Sequence, residues 1–520
     1  MLPYAAATTL AQGSGEEHDP TGAVVPPIHL ATTFRRSPEG YSPTGWSYSR
    51  YGYPGLERPE ATLKILEGAA DCRLFSSGMS AMTAVVMALR PGDHCVFPID
   101  MYHGLKTWLK AHSIHWGLRV EHVDMTDQDK VRAAVIAGAT RLVWLETPSN
   151  PHWHIYDIAN LAEIAHGAGA RLVVDNTVAT PILTQPIKLG ADIVVHSATK
   201  YLNGHSDVLA GAVLTAAKDE FWERIVFNRD YHGGILGQFQ SYLLMRGMRT
   251  LHLRVARSCE SAMALVDALG KHPKVKTIFY PGLPTHPGHF LAARQMTGGF
   301  GGMLSIVVAG GAAEANRVLT RTRIWQSATS LGGVESLIER REATEGPDSH
   351  VDPGLLRLSV GVEATSDLID DLCAALGPTD PAPMRQKPAP VPRDTQFRIA
   401  AETILNAGRQ ARAMLPLSGD HPQLDLDDAY RIQNLLMQAR QRQGADFAGF
   451  VGEIHRAVGM VPIGQHAEAD ETLLLQFDLF AGIGARQLAH FRWRECLAVN
   501  LLDLVLDRQS VAVPARNVGC

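Results

Sequence analysis

Val194-Val195-His196-Ser197-Ala198-Thr199-Lys200-Tyr201-Leu202-Asn203-Gly204-His205 runs from a short apolar strand into a polar turn that carries a lysine among hydroxyls. A lysine just past a buried strand can form a Schiff base with an aldehyde cofactor. The flanking Ser197 and Thr199 hydroxyls can hold a phosphate on the same cofactor. A lone lysine of this kind is usually an ordinary loop residue, so the sequence around it decides.

Working outward, strand-like and helix-like segments alternate on the amino-terminal side. Arg141-Leu142-Val143-Trp144-Leu145 is an apolar run of strand length, and Asp157 to His166 places Ile158, Leu161, Ala162 and Ala165 on one helical stripe ended by Gly167 and Gly169. Arg171-Leu172-Val173-Val174 and Asp192-Ile193-Val194-Val195 are the next strands. This alternation predicts βαβ units around a mostly parallel sheet. Chemistry on such sheets sits at the carboxyl ends of the strands, which points to Glu146, Asp175 and His196 onward. An aspartate at a strand end, as in Val174-Asp175-Asn176, can pair with a protonated pyridine nitrogen and keep the ring an electron sink. Phe75-Ser76-Ser77-Gly78-Met79 opens a helix, whose free N–H groups and positive dipole end attract an anion.

The chain of 520 residues is long enough for two or three domains. Its 46% hydrophobic and 19% charged residues are globular in composition. A net charge of −5 gives no global basic field for nucleic acid or an anionic membrane, and no apolar run approaches the length of a membrane span. The start, Met1-Leu2-Pro3-Tyr4-Ala5, lacks the basic-then-apolar order of a secretory signal. Six cysteines (72, 95, 259, 373, 496 and 520) lie far apart with no CxxC pair, which reads as reduced thiols in a cytoplasmic protein. Prolines at 378, 381, 383, 388, 390 and 392 mark residues 377–394 as an extended linker. Beyond it, Asp427 to Arg442 has helical periodicity.

Serine-glycine helix start, strand-end aspartate and a lysine 25 residues later form a rare combination. From residue 20 to about 376 the chain resembles the Cys/Met-metabolism (transsulfuration) family of pyridoxal-phosphate enzymes. The ordered stretches that carry the resemblance are GAVVPPIHLATTF, YSRYGYP, LFSSGMSAM, WLETPSNP, VVDNTVATP, HSATKYLNGHSDVLAG, LLMRGMRTLHLR, SLGGVESL and LLRLSVGVE. The resemblance implies an α/β fold of the aspartate-aminotransferase-like type (fold type I), with a mostly parallel central sheet, a smaller C-terminal α/β domain and, here, a helical tail. It implies an arm at residues 1–50 contacting a neighbouring subunit, a cofactor domain at 51–245 and a substrate domain at 246–376.

Carried onto this chain, the family pattern makes Lys200 the Schiff-base lysine and proton shuttle. Asp175 becomes the pyridinium partner, and Tyr102 the ring that stacks on the cofactor and helps deprotonate substrate. Gly78, Met79, Ser197 and Thr199 match the phosphate cradle, and Asn150 the residue beside the phenolic oxygen. Tyr48 and Arg50 match the pair that reaches a neighbouring subunit's phosphate, so a homo-oligomer, usually a tetramer, is implied. Arg357 matches the arginine that grips the substrate α-carboxylate, with Ser336 in the same pocket. Glu335 resembles the glutamate of the γ-acting cystathionine enzymes, implying γ-elimination or γ-replacement on cystathionine or an activated homoserine.

Alternatives are cystathionine β-lyase, methionine γ-lyase or O-acylhomoserine sulfhydrylase activity, or a fusion with a regulatory or ligand-binding tail. Gly104 stands where methionine γ-lyases typically show cysteine, which counts against that one. Three departures bear on substrate choice: Tyr53-Pro54-Gly55 in the subunit-crossing loop, His232-Gly233-Gly234-Ile235-Leu236-Gly237 without the frequent Ser-Pro, and a short loop between Ser336 and Arg357. That loop, IERREATEGPDSHVDPGLL, lacks His-Pro-Ala and Met-Thr-His and offers Arg340 and Arg341 to the entrance instead.

Residues 395–450 resemble the helical start of 2-oxopent-4-enoate hydratases, and residues 451–520 are unassigned and expected to be poorly packed. Glu453, His455 and His466 read as scattered loop residues, so no metal is expected, and no second activity.

Overall fold

A computed structural model describes residues 4–13, 23–40, 42–346 and 349–377, together with 477–478 and 510–511. The proline-rich segment 378–394, the Asp427–Arg442 helix, the hydratase-like stretch and Glu453, His455 and His466 lie outside the described residues. The chain divides into two compact units, Met1–Pro381 and Ala382–Cys520.

In the first unit a seven-stranded sheet is built from β1 (Asp71–Phe75), β2 (His94–Pro98), β3 (Arg119–Val123), β4 (Thr140–Glu146), β5 (Arg171–Asp175), β6 (Ile193–His196) and β7 (Gly211–Thr215). Their order is β1-β7-β6-β5-β4-β2-β3, with β7 antiparallel to both neighbours and the other pairs parallel. The apolar runs foreseen at 141–145, 171–174 and 192–195 are β4, β5 and β6. They are continuous because both faces of the sheet are covered. Alternate residues go to opposite sides: Val143, Leu145, Leu172, Val174 and Val194 enter one core, and Leu142, Trp144, Val173, Ile193 and Val195 the other. The helix Ile158–Gly167 is capped by Asp157, whose side chain accepts from Asn160 N–H, and it buries Ile158, Leu161, Ala162 and Ala165 as its stripe requires.

A smaller sheet follows, from β8 (Val275–Phe279), β9 (Met303–Val308), β10 (Gln326–Ser327), β11 (Leu337–Arg340) and β12 (Leu355–Ser359), in the order β10-β11-β12-β9-β8. Apart from the parallel β10–β11 pair it is antiparallel. The second half of the helix Leu251–Leu269 and the helix Thr365–Leu376 bury their apolar faces with it in a separate core, while Leu251, Val255 and Cys259 join a core of the large sheet. In the second unit the described residues form one antiparallel pair, β13 (Phe477–Asp478) with β14 (Ser510–Val511). Among the described residues no helix is long and apolar enough to cross a membrane.

Strand direction gathers the polar residues in one place. Because β1, β2, β4, β5 and β6 run the same way, their carboxyl ends share one edge of the large sheet. Gly78, Tyr102, Glu146, Asp175 and Lys200 all follow or occupy those ends.

Candidate active site

A cleft over that edge is lined by Ser77, Gly78, Met79, Tyr102, Glu146 and Asn150, then Asp175, Thr177, Ser197, Thr199, Lys200, Ser330, Arg341 and Arg357. Residues up to 200 come from the large sheet and its loops; the last three come from the smaller sheet and the segments beside it.

Lys200 donates from Nζ to Ser330 Oγ at 2.8 Å. Burial, with the Arg357 charge next in size, brings its amine down to about 8. The turn that presents it is fixed by backbone pairing. Lys200 N–H donates to Ser197 O at 3.1 Å, and Ser197 N–H to Thr177 Oγ1 at 2.7 Å. Thr199 is engaged twice with Ala210, donating to its carbonyl at 3.1 Å and accepting from its N–H at 3.0 Å.

Asp175 ends β5 and Glu146 ends β4, and the two are directly opposite in the parallel ladder. Both are buried. Burial holds the Glu146 carboxyl well above its usual range, and the neighbouring Asp175 charge adds to this. Glu146 Oε2 accepts from Tyr102 N–H at 2.6 Å. Asp175 is also raised by burial, against the hydrogen bonds it accepts from Thr177 and the nearby His196. Two buried carboxyls side by side, with no cation bonded to either among the described residues, suit a protonated ring nitrogen.

The helix Gly78–Val86 begins with Ser77 as its cap, the Ser77 side chain accepting from Ser80 N–H at 3.0 Å. A Cβ on residue 78 would lie 2.8 Å from Ser197 Oγ and 2.9 Å from Ser197 Cβ. Only glycine lets the helix start and the Ser197 turn close on the same small group, the form a phosphate cradle takes. Free N–H groups, a depressed amine and a buried acid pair on one cleft fit an aldehyde cofactor carrying a phosphate and a basic ring.

Arg357 sits on β12 with its guanidinium almost fully buried. It pairs with Glu339 at 2.5 Å, donates to Ser330 O at 2.8 Å and lies 3.5 Å from Asn150 Oδ1. Its neighbour Arg341, also buried, meets Glu345 at 3.2 Å and Glu339 at 3.5 Å. Of the two arginines offered by the short loop, Arg341 enters the cleft. Arg340 pairs with Glu342 at 2.7 Å and is not among the lining residues. A Cβ on Gly104 would lie 2.6 Å from the Tyr102 ring, so the glycine leaves room for that ring to lie across the start of its helix.

Several expected site residues stand elsewhere. Ser336 does not line the cleft: it is fully buried, donating from Oγ to Glu363 Oε2 at 2.8 Å and accepting from Gly361 N–H at 2.9 Å. The serine beside Arg357 is Ser330, held at φ +89°. Glu335 occupies an adjoining recess with Thr199, Leu209, Thr329 and Ser330, where it accepts from Ser206 Oγ. Tyr48 and Arg50 do not line this cleft either. The Arg50 guanidinium lies 5.5 Å from the Tyr48 ring centre and 5.1 Å from that of Tyr51. Sequence reasoning missed Ser330, Glu339 and Thr177 as parts of the site. The repeated serine of SLGGVES was the available signal for the first.

Comparison with known proteins identifies the family. The family described as Cys/Met metabolism PLP-dependent enzyme matches residues 7–377. The chain is 45% identical to the cystathionine gamma-synthase of Mycobacterium bovis over 376 residues, 71% of this chain and 96% of that one. It is 42% identical to the cystathionine beta-lyase of Coxiella burnetii over 373 residues, covering 70% and 96%. Among solved structures, cystathionine gamma synthase from Xanthomonas oryzae pv. oryzae in complex with cystathionine superposes with a TM-score of 0.69 at 38% identity, covering 72% of this chain and 98% of that one. With a lysine, a buried acid and an anion cradle converging on one cleft, the chain belongs to the family of Cys/Met metabolism PLP-dependent enzymes.

Proposed function

We propose that this enzyme performs γ-elimination or γ-replacement on amino acids of the cystathionine and activated-homoserine type. Pyridoxal phosphate, when bound, supplies the electron sink for the charge left by loss of the substrate α-proton. The chain's own residues do the rest. Lys200 holds the cofactor and then moves protons at the α- and β-carbons. Tyr102 covers the ring and assists the first proton removal. Asp175 keeps the ring nitrogen protonated, and Asn150 stands by the phenolic oxygen. Gly78, Met79, Ser197 and Thr199 hold the phosphate, and Arg357 holds the substrate carboxylate. Ser330 takes the place expected of Ser336.

What favours γ- over β-chemistry is the resemblance of Glu335 to the glutamate of the γ-acting enzymes, and its place in the structure is compatible with that role. Its recess adjoins the cleft beside Ser330 and Thr329, beyond the Lys200–Arg357 pair that would hold the α-carbon. A carboxylate there suits the distal ammonium of cystathionine. Residues 1–50 form an arm, 51–245 the cofactor domain and 246–376 the substrate domain. Tyr48 and Arg50, left outside their own cleft, complete that of a neighbouring copy in a cytoplasmic homotetramer.

Product analysis with the purified full chain tests the reading. It is expected to release 2-oxobutanoate and cysteine from cystathionine, or to form cystathionine from an O-acylhomoserine and cysteine. Homocysteine and pyruvate would instead show β-cleavage and overturn the γ assignment.

The Lys200 amine sets a second expectation. Its neutral form is the nucleophile, so cofactor uptake by the stripped protein should climb with pH through about 8 and flatten above it. Between about 8 and 10.5 the unfolded chain holds this proton and the folded chain does not, so this group's contribution to stability rises with pH across that window. Stopped-flow uptake and melting of the stripped protein measure both. An uptake rate that does not change between pH 7 and 9 would contradict the assignment.

A further inference from the structure

Behind the loop that carries Asn150, two histidines flank the buried Trp153 and turn toward one carboxylate. His152 Nδ1 lies 3.2 Å and His154 Nε2 3.7 Å from the same oxygen, Asp100 Oδ2. One potential ligand atom from each of the three residues lies within 4.8 Å of the others. None of the three lines the cofactor cleft.

The loop is held so that this convergence persists. Trp153 is fully buried, and its Nε1 donates to Ser305 Oγ at 2.9 Å on β9. It sits at φ +59°, a left-handed conformation that a bulky residue keeps only where its surroundings impose it. With its ring fixed inward, the side chains on either side emerge together. The rings of His152 and His154 are 5.7 Å apart, and the rings of His152 and Phe279 meet at 80° with centres 5.4 Å apart. Asp100 is oriented in turn by Ser149, whose Oγ donates to Oδ2 at 2.8 Å. A hydroxyl that fixes a carboxylate in this way is the kind of outer support metal-binding carboxylates carry.

The charges agree. Apart from repulsion among the imidazoles, His286 included, the charged groups acting on the two rings are Asp100, Asp124 and Glu345, all carboxylates. In a tetrahedral site with bonds of about 2.0–2.1 Å to nitrogen and oxygen, neighbouring ligand atoms stand roughly 3.3 Å apart. The two nitrogen–oxygen separations bracket that value. All three side chains are partly exposed, which leaves a remaining position open to water.

We propose that Asp100, His152 and His154 form a binding site for a divalent transition-metal ion. Two imidazoles with one carboxylate suit zinc, cobalt or nickel better than magnesium or calcium, which prefer all-oxygen sets. The ion fastens the loop after β2, which leads to Tyr102, to the loop after β4, which carries Asn150. The site is therefore a clamp behind the cofactor cleft and takes no part in the chemistry.

The test uses tag-free, chelator-treated holoenzyme titrated with cobalt(II) and, separately, zinc(II) by equilibrium dialysis. One ion per chain is expected. Cobalt should give the visible absorption of a low-coordinate nitrogen–oxygen site, and zinc should raise the melting temperature. His152→Gln/His154→Gln should abolish saturable binding, and Asp100→Asn should weaken it by about 10-fold or more. Melting of each variant without metal reports whether it folds, and Asp100→Asn serves if the double variant does not. Absence of saturable binding to the parent, or the same binding to a folded Asp100→Asn variant, would overturn the proposal.

Discussion

Lys200→Ala should lower kcat by at least about 10³-fold, within the range that a positioned proton-transfer group supplies to a step. Among the described residues Lys200 is the one lysine lining the cleft. Its amine donates to Ser330 Oγ and feels the charges of Arg357, Glu339 and Arg341, and burial has already brought it to about 8. Alanine removes both the attachment point and the base that we propose, and no other lining residue offers an amine. Stability should move the other way or not at all. The amine has a hydroxyl as its hydrogen-bond partner, and burial and two nearby arginines disfavour its charge more than Glu339 favours it. Removing a poorly solvated cation from such a place costs the fold little. The result expected is a chain that melts at or above the parent temperature and does not turn over cystathionine. Turnover at the parent rate would sink the catalytic role of Lys200 and the reaction class with it.

The parts of this site that were legible in the sequence are those where an apolar run stops at a polar residue. Glu146, Asp175 and the Ser197–Lys200 turn follow strands buried on both faces, so their positions could be read from the end of each run. Gly78 was legible for a related reason, because a glycine at a serine-rich helix start marks a close approach.

The short SLGGVESL segment resisted the same treatment. It holds two serines six residues apart, and nothing local tells them apart. A left-handed backbone at Ser330 turns one toward Lys200. The other is captured by Glu363, which lies 27 residues further along the chain. Glu339 was missed because its partner Arg357 faces it across a strand pair, not along the sequence. Nothing in the local sequence singles out His152 and His154; β2 and β4, adjacent in the sheet, bring Asp100 to His152 from 52 residues away. In each case the deciding contact is non-local. Composition and spacing carry no record of it.

Arg357→Leu separates two jobs that one guanidinium can perform. The first, the one we propose, is to grip the substrate carboxylate, and its loss should reduce kcat/KM by about 10²–10³-fold, the scale of a lost charge-assisted pair in a buried site. The second is to neutralise Glu339, which is itself buried and 2.5 Å away. Leaving that carboxylate alone should cost about 3–5 kcal/mol of stability. Arg341 offsets part of this, since it also reaches Glu339 at 3.5 Å. A second change sorts the two effects. In Arg357→Leu/Glu339→Leu both charges are gone and Arg341 keeps Glu345 as its partner, so most of the lost stability should return, less the hydrogen bond that Thr344 donates to Glu339. The kcat/KM should not return with it, because no planar fork then faces the substrate. Arg357→Lys should fall between, keeping the charge that pairs with Glu339 but losing the bidentate geometry. Urea melts and initial rates on the four proteins decide the matter. If the double variant recovered parental kcat/KM, Arg357 would be a counter-ion for Glu339 only, and the substrate carboxylate would have to be held by Arg341.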